Sequence, residues 1–285
     1  IIDVLNIWQG LGYYSRARNL HQAALTINNN YNGSFPRTYK EILTLKGIGE
    51  YTAGAIASIA FGEVVPAIDG NVKRLVSRLI GSFDDPGRPS GRDKIRTFLT
   101  HEIDPDHPGD FNQAMMDLGS MICIPVRPLC NQCPLAFQCQ ANLKAVVNEV
   151  PAKTKIASPK NRFFYYVIIT SGEKLIVKQR TGNDIWKLMY DFPMIESSQK
   201  LNEKEVYTRI KDLFSESEKK FNAVKESGQI IHTLSHQKIH ARFIHIEMQN
   251  IPKMSDPGCI AIDKESITDF PLPRLIDRYL QQTNI

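Results

Sequence analysis

The chain has 285 residues, 42% hydrophobic and 23% charged, enough to bury one large core or two ordinary ones, which excludes a disordered or collagen-like chain. Thirty-five Lys and Arg against thirty Asp and Glu leave a formal charge of +5, an excess that allows a polyanionic partner without requiring one. The longest apolar candidate, Ile56 to Ile68, is broken by Glu63 and Pro66, so no span across a bilayer and no membrane partner is predicted.

The sequence opens on Ile1-Ile2-Asp3-Val4-Leu5-Asn6-Ile7-Trp8, already inside an apolar-periodic stretch, without a starting Met, a capping residue or a signal peptide, and so reads as a fragment. Helical spacing continues to about residue 145. Ala53, Ile56, Ala57 and Ala60 follow Gly47-Ile48-Gly49; Val72, Leu75, Val76 and Leu79 follow Asp69 and end before Gly81; Phe111, Ala114, Met115 and Leu118 follow Asp110. These are short helices with short loops, the pattern of a globular helical domain. Residues 145–160, polar and basic with Pro151 and Pro159, read as a linker. Beyond it Phe163 to Thr170 and Leu175 to Lys178 flank Ser171-Gly172, a hairpin signature, and Ile239 to Met248 reads as a further strand. A helix from Glu203 to Phe214 carries Val206, Ile210 and Leu213 on one face, so the second domain is predicted to be α+β.

Four of the five cysteines lie between Cys123 and Cys139, too clustered for a secreted disulfide scaffold and suited to reduced thiolates on a metal. The spacing Cys123-x6-Cys130-x2-Cys133-x5-Cys139 lets four sulfurs reach one centre. Spacing alone leaves zinc and a [4Fe-4S] cluster both open, because only one pair is close. Cys259 stands apart and reads as a buried small apolar residue.

In Lys46-Gly47-Ile48-Gly49-Glu50-Tyr51, two glycines before a helix permit a turn whose outward N–H groups bind a phosphate, although a plain interhelical turn uses the same residues. Asp69, in Asp69-Gly70-Asn71-Val72-Lys73, sits where a helix starts and is most simply its N-cap.

Together with Trp8-Gln9-Gly10-Leu11-Gly12-Tyr13-Tyr14-Ser15-Arg16-Ala17-Arg18-Asn19-Leu20-His21 and Phe111-Asn112-Gln113-Ala114-Met115-Met116-Asp117-Leu118-Gly119, these motifs resemble, in the same order, the endonuclease III superfamily of DNA glycosylases and, within it, the MutY-type adenine glycosylases. The resemblance implies a helix-hairpin-helix glycosylase domain over 1–144 with a structural [4Fe-4S] cluster on Cys123, Cys130, Cys133 and Cys139, a linker at 145–160, and a Nudix-like lesion-recognition domain over 161–285. It implies Asp69 as the carboxylate facing the sugar of a flipped adenosine, where an ionised group stabilises or traps an oxocarbenium-like state, with Tyr51 and Asn71 beside it. It places DNA contacts at Lys46, Gly47, Gly49, Lys73 and Arg127, and a wedge into the duplex at Tyr13, a position that an ordinary core or surface tyrosine would also fit. The expected partner is double-stranded DNA holding A:8-oxoguanine or A:G mispairs, bound by a monomer in the bacterial cytoplasm.

Several positions bear on mechanism. Where the lyase branch carries a nucleophilic lysine this chain has Tyr51, which cannot form a Schiff base; hydrolysis without strand cleavage is therefore predicted, with Tyr51 hydrogen-bonding near Asp69. Lys73, one turn after Asp69, contacts a phosphate or solvent, or forms an adventitious adduct. The helix at 203–214 lacks the glutamate cluster of a Nudix hydrolase, so pyrophosphate hydrolysis is not expected. In His232-Thr233-Leu234-Ser235-His236, Ser235 and His236 match the family's lesion-reading loop and Leu234 replaces its aromatic residue. Trp186-Lys187-Leu188-Met189 departs from the family's Gly-Leu-Trp, which removes the glycine whose backbone contact falls near Leu188. The family's acid, a Glu on a helix with a Gln-Gln-Thr run, has no match here. Three readings follow: a monofunctional adenine glycosylase, a bifunctional endonuclease III-type glycosylase/lyase, or a non-catalytic lesion-binding fragment.

Overall fold

The computed structural model describes residues 1–152, 158–215 and 223–283. The chain divides into two units, Gln22–Ile156 and a discontinuous one joining Ile1–His21 to Ala157–Ile285. The helices α1 (Ile2–Ile7) and α2 (Ser15–Asn30) open the chain, and the division falls inside α2. The other break lies at 156/157, so residues 1–21 group with the sheet unit and not with the helical domain expected over 1–144. The cause is burial: Leu5, Tyr14 and Ala17 share one hydrophobic core with Phe164, Phe243 and Ile276. The predicted linker also differs. Residues 153–157 lie outside the described residues, but Val150 is buried and its carbonyl accepts a hydrogen bond from Arg78 Nε at 3.1 Å, so the first part of that stretch is packed.

In the Gln22–Ile156 unit, α3 (Tyr39–Leu43) starts on a capping box in which Thr38 and Glu41 satisfy each other's backbone amides. Next comes α4 (Glu50–Phe61), closed by Gly62 in the left-handed conformation; Ile42, Ala53 and Ala57 form the core between these two helices. Gly54 is required here, since a Cβ would lie 2.6 Å from the Pro66 carbonyl oxygen, and its absence lets the segment leading to Asp69 run against α4. The next helices are α5 (Gly70–Leu79), α6 (Pro89–Glu102) and α7 (Pro108–Asp117). Val72, Leu75, Val76 and Leu79, the predicted apolar stripe of α5, are buried with Ile95, Leu99 and Met115. A π-helical turn (Leu118–Ile122), a 3-10 turn (Cys130–Gln132) and α8 (Gln140–Leu143) complete the helical part.

The other unit is built on a mixed sheet of β1 (Lys160–Ser171), β2 (Lys174–Gln179), β3 (Tyr190–Asp191), β4 (Met194–Ser197), β5 (Ala223–Glu226), β6 (Ile230–Thr233), β7 (Gln237–Glu247) and β8 (Cys259–Asp263). The order runs β3-β2-β1-β7-β5, with β4 on β1, β6 on β7 and β8 on β2. The predicted β1–β2 hairpin forms, with Ser171 opposite Lys174 and Gly172 at φ +55°. The central pair, β1 with β7, is parallel, so β1 must be covered on both faces. Its alternate residues do this: Phe164, Tyr166 and Ile168 enter a core shared with α1, α2 and α10 (Arg274–Gln282), while Tyr165, Val167 and Ile169 enter one shared with Val206 and Ile210 of α9 (Glu203–Lys211).

Asp191 on β3 is buried against Arg180 at 2.8 Å, and burial outweighs that partner, raising its carboxyl from 3.8 to about 6. A raised acid holds its proton in the folded state when the unfolded chain has lost it. This group's contribution to stability therefore falls as pH rises from about 4 to 6. Thermal melts across that range should show the slope in the wild type and a flatter one in Asp191→Asn.

Candidate functional site

The expected N-cap forms at Asp69: its Oδ1 accepts from Val72 N at 2.7 Å. The half-buried carboxylate has a second partner, because Oδ2 accepts from Asn71 Nδ2 at 3.0 Å. Asn71 Oδ1 in turn accepts from Arg74 Nη2 at 3.0 Å, and Arg74 also donates to the carbonyls of Gly119 (2.6 Å) and Cys123 (2.7 Å). Hydrogen bonds therefore link the carboxylate through Asn71 and Arg74 to the backbone of the first clustered cysteine. The approach depends on Gly119, where a Cβ would stand 3.0 Å from backbone and side-chain atoms of Asn71.

A residue that sequence reasoning assigned no role, Asn112, is 1% exposed. It accepts from Ala67 N at 2.9 Å and donates to Val65 O at 2.9 Å and Ser58 Oγ at 2.8 Å, clamping the strand-like segment just before Asp69. Removing these bonds strands buried backbone groups. Asn112→Ala should therefore cost about 3 kcal/mol in urea unfolding.

The other predicted contacts are placed as follows. Gly47 (φ +86°) and Gly49 lead into α4, whose N-cap Gly49 has no side chain to occupy the first amides. Lys46, Gly47 and Gly49 are all exposed, and Lys73 is half-buried in the first turn of α5. The Tyr51 hydroxyl donates to Met116 Sδ at 3.4 Å; this is the bond found in place of one directed at Asp69. Arg127 is exposed at φ +53°.

Cys123, Cys130, Cys133 and Cys139 line one cavity together with Arg78, Leu75 and Leu79. Among the described residues, no three His, Cys, Asp or Glu side chains converge closely enough to hold a single ion. Four thiols around one cavity are a donor set for a metal centre, whether zinc or a polynuclear cluster. Burial, and then the neighbouring sulfurs, push the Cys130 thiol up; for Cys133 burial is again the main cause. Arg78, 3% exposed, supplies positive charge beside them: it donates to Cys123 Sγ at 3.3 Å and to the carbonyls of Cys123, Ile124, Pro125 and Val150.

A second constellation lies in the sheet unit. Ser235 and His236 are the central residues of the turn joining β6 to β7, closed by Leu234 N donating to Gln237 O at 2.8 Å. Lys160 N donates to the His236 carbonyl and ties the turn to β1. Tyr13 follows Gly10 and Gly12, all three at positive φ. The Trp8 indole donates to Gly12 O at 3.1 Å, and the Arg16 guanidinium sits 4.9 Å from the centre of the 65%-exposed Tyr13 ring. The Tyr13 hydroxyl lies 3.4 Å from Ser235 Oγ. Tyr13, Ser235 and His236 thereby border a cavity of about 630 Å³ with Arg18, Trp186 and His232. Burial, then Arg278 and Arg274, hold the His232 imidazole below its usual range, favouring the neutral form. Trp186 and Leu188 take φ of +58° and +68°, the left-handed conformation a glycine would adopt at no steric cost. The Leu188 N–H is spent on Arg180 O at 2.7 Å, so the contact expected of a glycine there is used inside the loop.

The NUDIX domain family matches residues 164–282, and the helix-hairpin-helix motif matches residues 30–59. The chain is 33% identical over 250 residues to the adenine DNA glycosylase of Buchnera aphidicola subsp. Acyrthosiphon pisum, covering 87% of this chain and 69% of that protein. It is 30% identical over 286 residues to the one from Buchnera aphidicola subsp. Schizaphis graminum, covering 98% and 79%. A solved non-covalent endonuclease III–DNA complex shares 29% identity over 48% of this chain and 61% of its own, with a TM-score of 0.41. Given identities of 30% or more over 87% and 98% of its length, the chain belongs to the adenine DNA glycosylase family.

Proposed function

We propose that this chain hydrolyses the N-glycosidic bond of adenine mispaired with 8-oxoguanine, or with guanine, in duplex DNA, as a monomer and without cleaving the strand. The meeting of Tyr13 with Ser235 and His236 around one cavity carries this reading, since two elements far apart in sequence, each predicted to touch the mispair, are brought together. An exposed aromatic ring entering the stack offsets a few kcal/mol of lost base stacking. The Ser235 hydroxyl then meets the N7–H and O8 edge that separates an oxidised guanine from guanine.

At the other end of the reaction Asp69, held by Val72 N and Asn71, is the anion for the positive charge that develops on the deoxyribose as adenine leaves. A carboxylate fixed by two donors pays little reorganisation as that charge appears. Tyr51 in the lyase-lysine position supports hydrolysis. The four cysteines fit a [4Fe-4S] cluster, which when bound would supply a structural tie closing residues 123–139. Arg127 and the Gly47–Gly49 turn would then grip phosphates beside the lesion.

The test is adenine release under single-turnover conditions from duplexes carrying adenine opposite 8-oxoguanine or guanine. Wild type should favour the 8-oxoguanine duplex, and Ser235→Ala should lower that preference about tenfold, the worth of one hydrogen bond. Strand scission accompanying base release, or no preference in the wild type, would overturn the reading.

A further inference from the structure

Gln237 is the first residue of β7, directly after the Ser235-His236 turn, and it lines the same cavity. Its side-chain amide has a defined orientation. Oε1 accepts from Arg162 Nη1 at 2.8 Å, and because a guanidinium carries donors only, the oxygen must face it. Arg162 is itself immobilised: 8% exposed, it also makes paired hydrogen bonds with Asp184 (2.9 and 2.6 Å) and Glu196 (2.7 and 2.8 Å). Burial works against this cation, but the two carboxylates keep it fully charged. Among the described residues, none accepts from Gln237 Nε2. The buried ion cluster thus leaves Gln237 a single group to offer a ligand, an NH₂ donor beside Ser235.

We infer that Gln237 is a specificity-determining residue that donates a hydrogen bond from Nε2 to the C8 carbonyl oxygen of 8-oxoguanine. Ser235 accepts the N7–H of the same base. The polarities suit the oxidised edge: guanine has a hydrogen at C8 that leaves the Gln237 donor unpaired, whereas the Ser235 hydroxyl, donor as well as acceptor, can still meet its bare N7. Rejection follows because a site built for a hydrogen bond leaves its donor unpaired with the wrong base. Arg162, Asp184 and Glu196 act here as positioning residues, since they decide which end of the amide faces the cavity. The inference rests on the lesion-recognition reading above and adds a residue and a polarity to it.

The full chain would be titrated against duplexes in which a non-hydrolysable adenosine analogue faces 8-oxoguanine, 8-thioguanine or guanine. 8-Thioguanine keeps the N7–H and replaces O8 by a weak acceptor. Wild type should prefer 8-oxoguanine over both. Gln237→Met keeps length and removes the donor; it should lose about tenfold on 8-oxoguanine, none on guanine, and the discrimination against 8-thioguanine. Gln237→Glu keeps the partner of Arg162 and turns an acceptor toward the cavity, so it should lose more. Unchanged ratios in both variants, or equal losses on all three duplexes, overturn the role of Gln237 while leaving the lesion reading intact. A wild type indifferent to 8-oxoguanine against guanine overturns both. Only a side chain on a backbone-paired strand end is changed, and matching melting curves would establish that each variant is folded.

Discussion

Asp69→Asn should slow adenine release from an A:8-oxoguanine duplex by at least about 10³-fold, while the protein melts within a few degrees of wild type. The two halves of this result have separate causes. Loss of rate follows from replacing an anion aimed at the developing oxocarbenium with a neutral amide, and one preorganised electrostatic group is worth about 10² to 10³ even when it is only a hydrogen-bond donor. Retained stability follows from the cap: asparagine serves a helix N-terminus as well as aspartate does, and Oδ1 still faces Val72 N, so only the part-buried bond from Asn71 Nδ2 to the second oxygen is lost. Single-turnover kinetics beside a thermal melt read both quantities. A variant that retains most of the rate would remove Asp69 from the chemistry and leave it the cap alone.

Arg78→Met should destabilise the helical unit by about 4 kcal/mol, with Arg78→Lys recovering little. Methionine matches the length of the aliphatic stem but leaves the carbonyls of Cys123, Ile124, Pro125 and Val150 without their donor, and abandoning the two at buried residues, Cys123 and Val150, costs about 1–3 kcal/mol each. Lysine restores charge without the planar fork that reaches several acceptors at once. Denaturant unfolding followed by helical signal measures the loss. A cost under about 1 kcal/mol would show that water replaces the guanidinium there.

How far these sites could be read in advance depended on whether their chemistry is local in sequence. The cap at Asp69, the β1–β2 turn and the stripe of α5 each lie within a few residues of what they satisfy. The cysteine spacing and the Ser235-His236 pair are similarly compact. Arg74, Arg78 and Asn112 are not. On a helix an arginine ordinarily reads as a solvated face, and here the acceptors are carbonyls contributed by the segment 119–125 and by Val150, distant in the chain. Gln237 carried no signal for the same reason, its orientation being set by an arginine 75 residues earlier. The short strands β3, β4, β5 and β6 have too few residues to show an alternation. The amphipathic character of residues 1–21 was visible, but a periodic pattern does not say which core it will join, and that choice placed these residues with the sheet unit.

Because Leu5, Tyr14 and Ala17 are buried with Leu275, Ile276 and Tyr279, the apolar side chains of residues 1–21 stay uncovered during synthesis until residues 272–279 have emerged. The helical unit, contiguous from 22 to 156, can mature meanwhile from local contacts. The unit assembled around the sheet cannot, since its closing contacts span more than 260 residues of sequence, such as Asn6 with Asp269. Vectorial synthesis thus leaves this apolar surface bare while the residues between are made, a natural client for holdase chaperones.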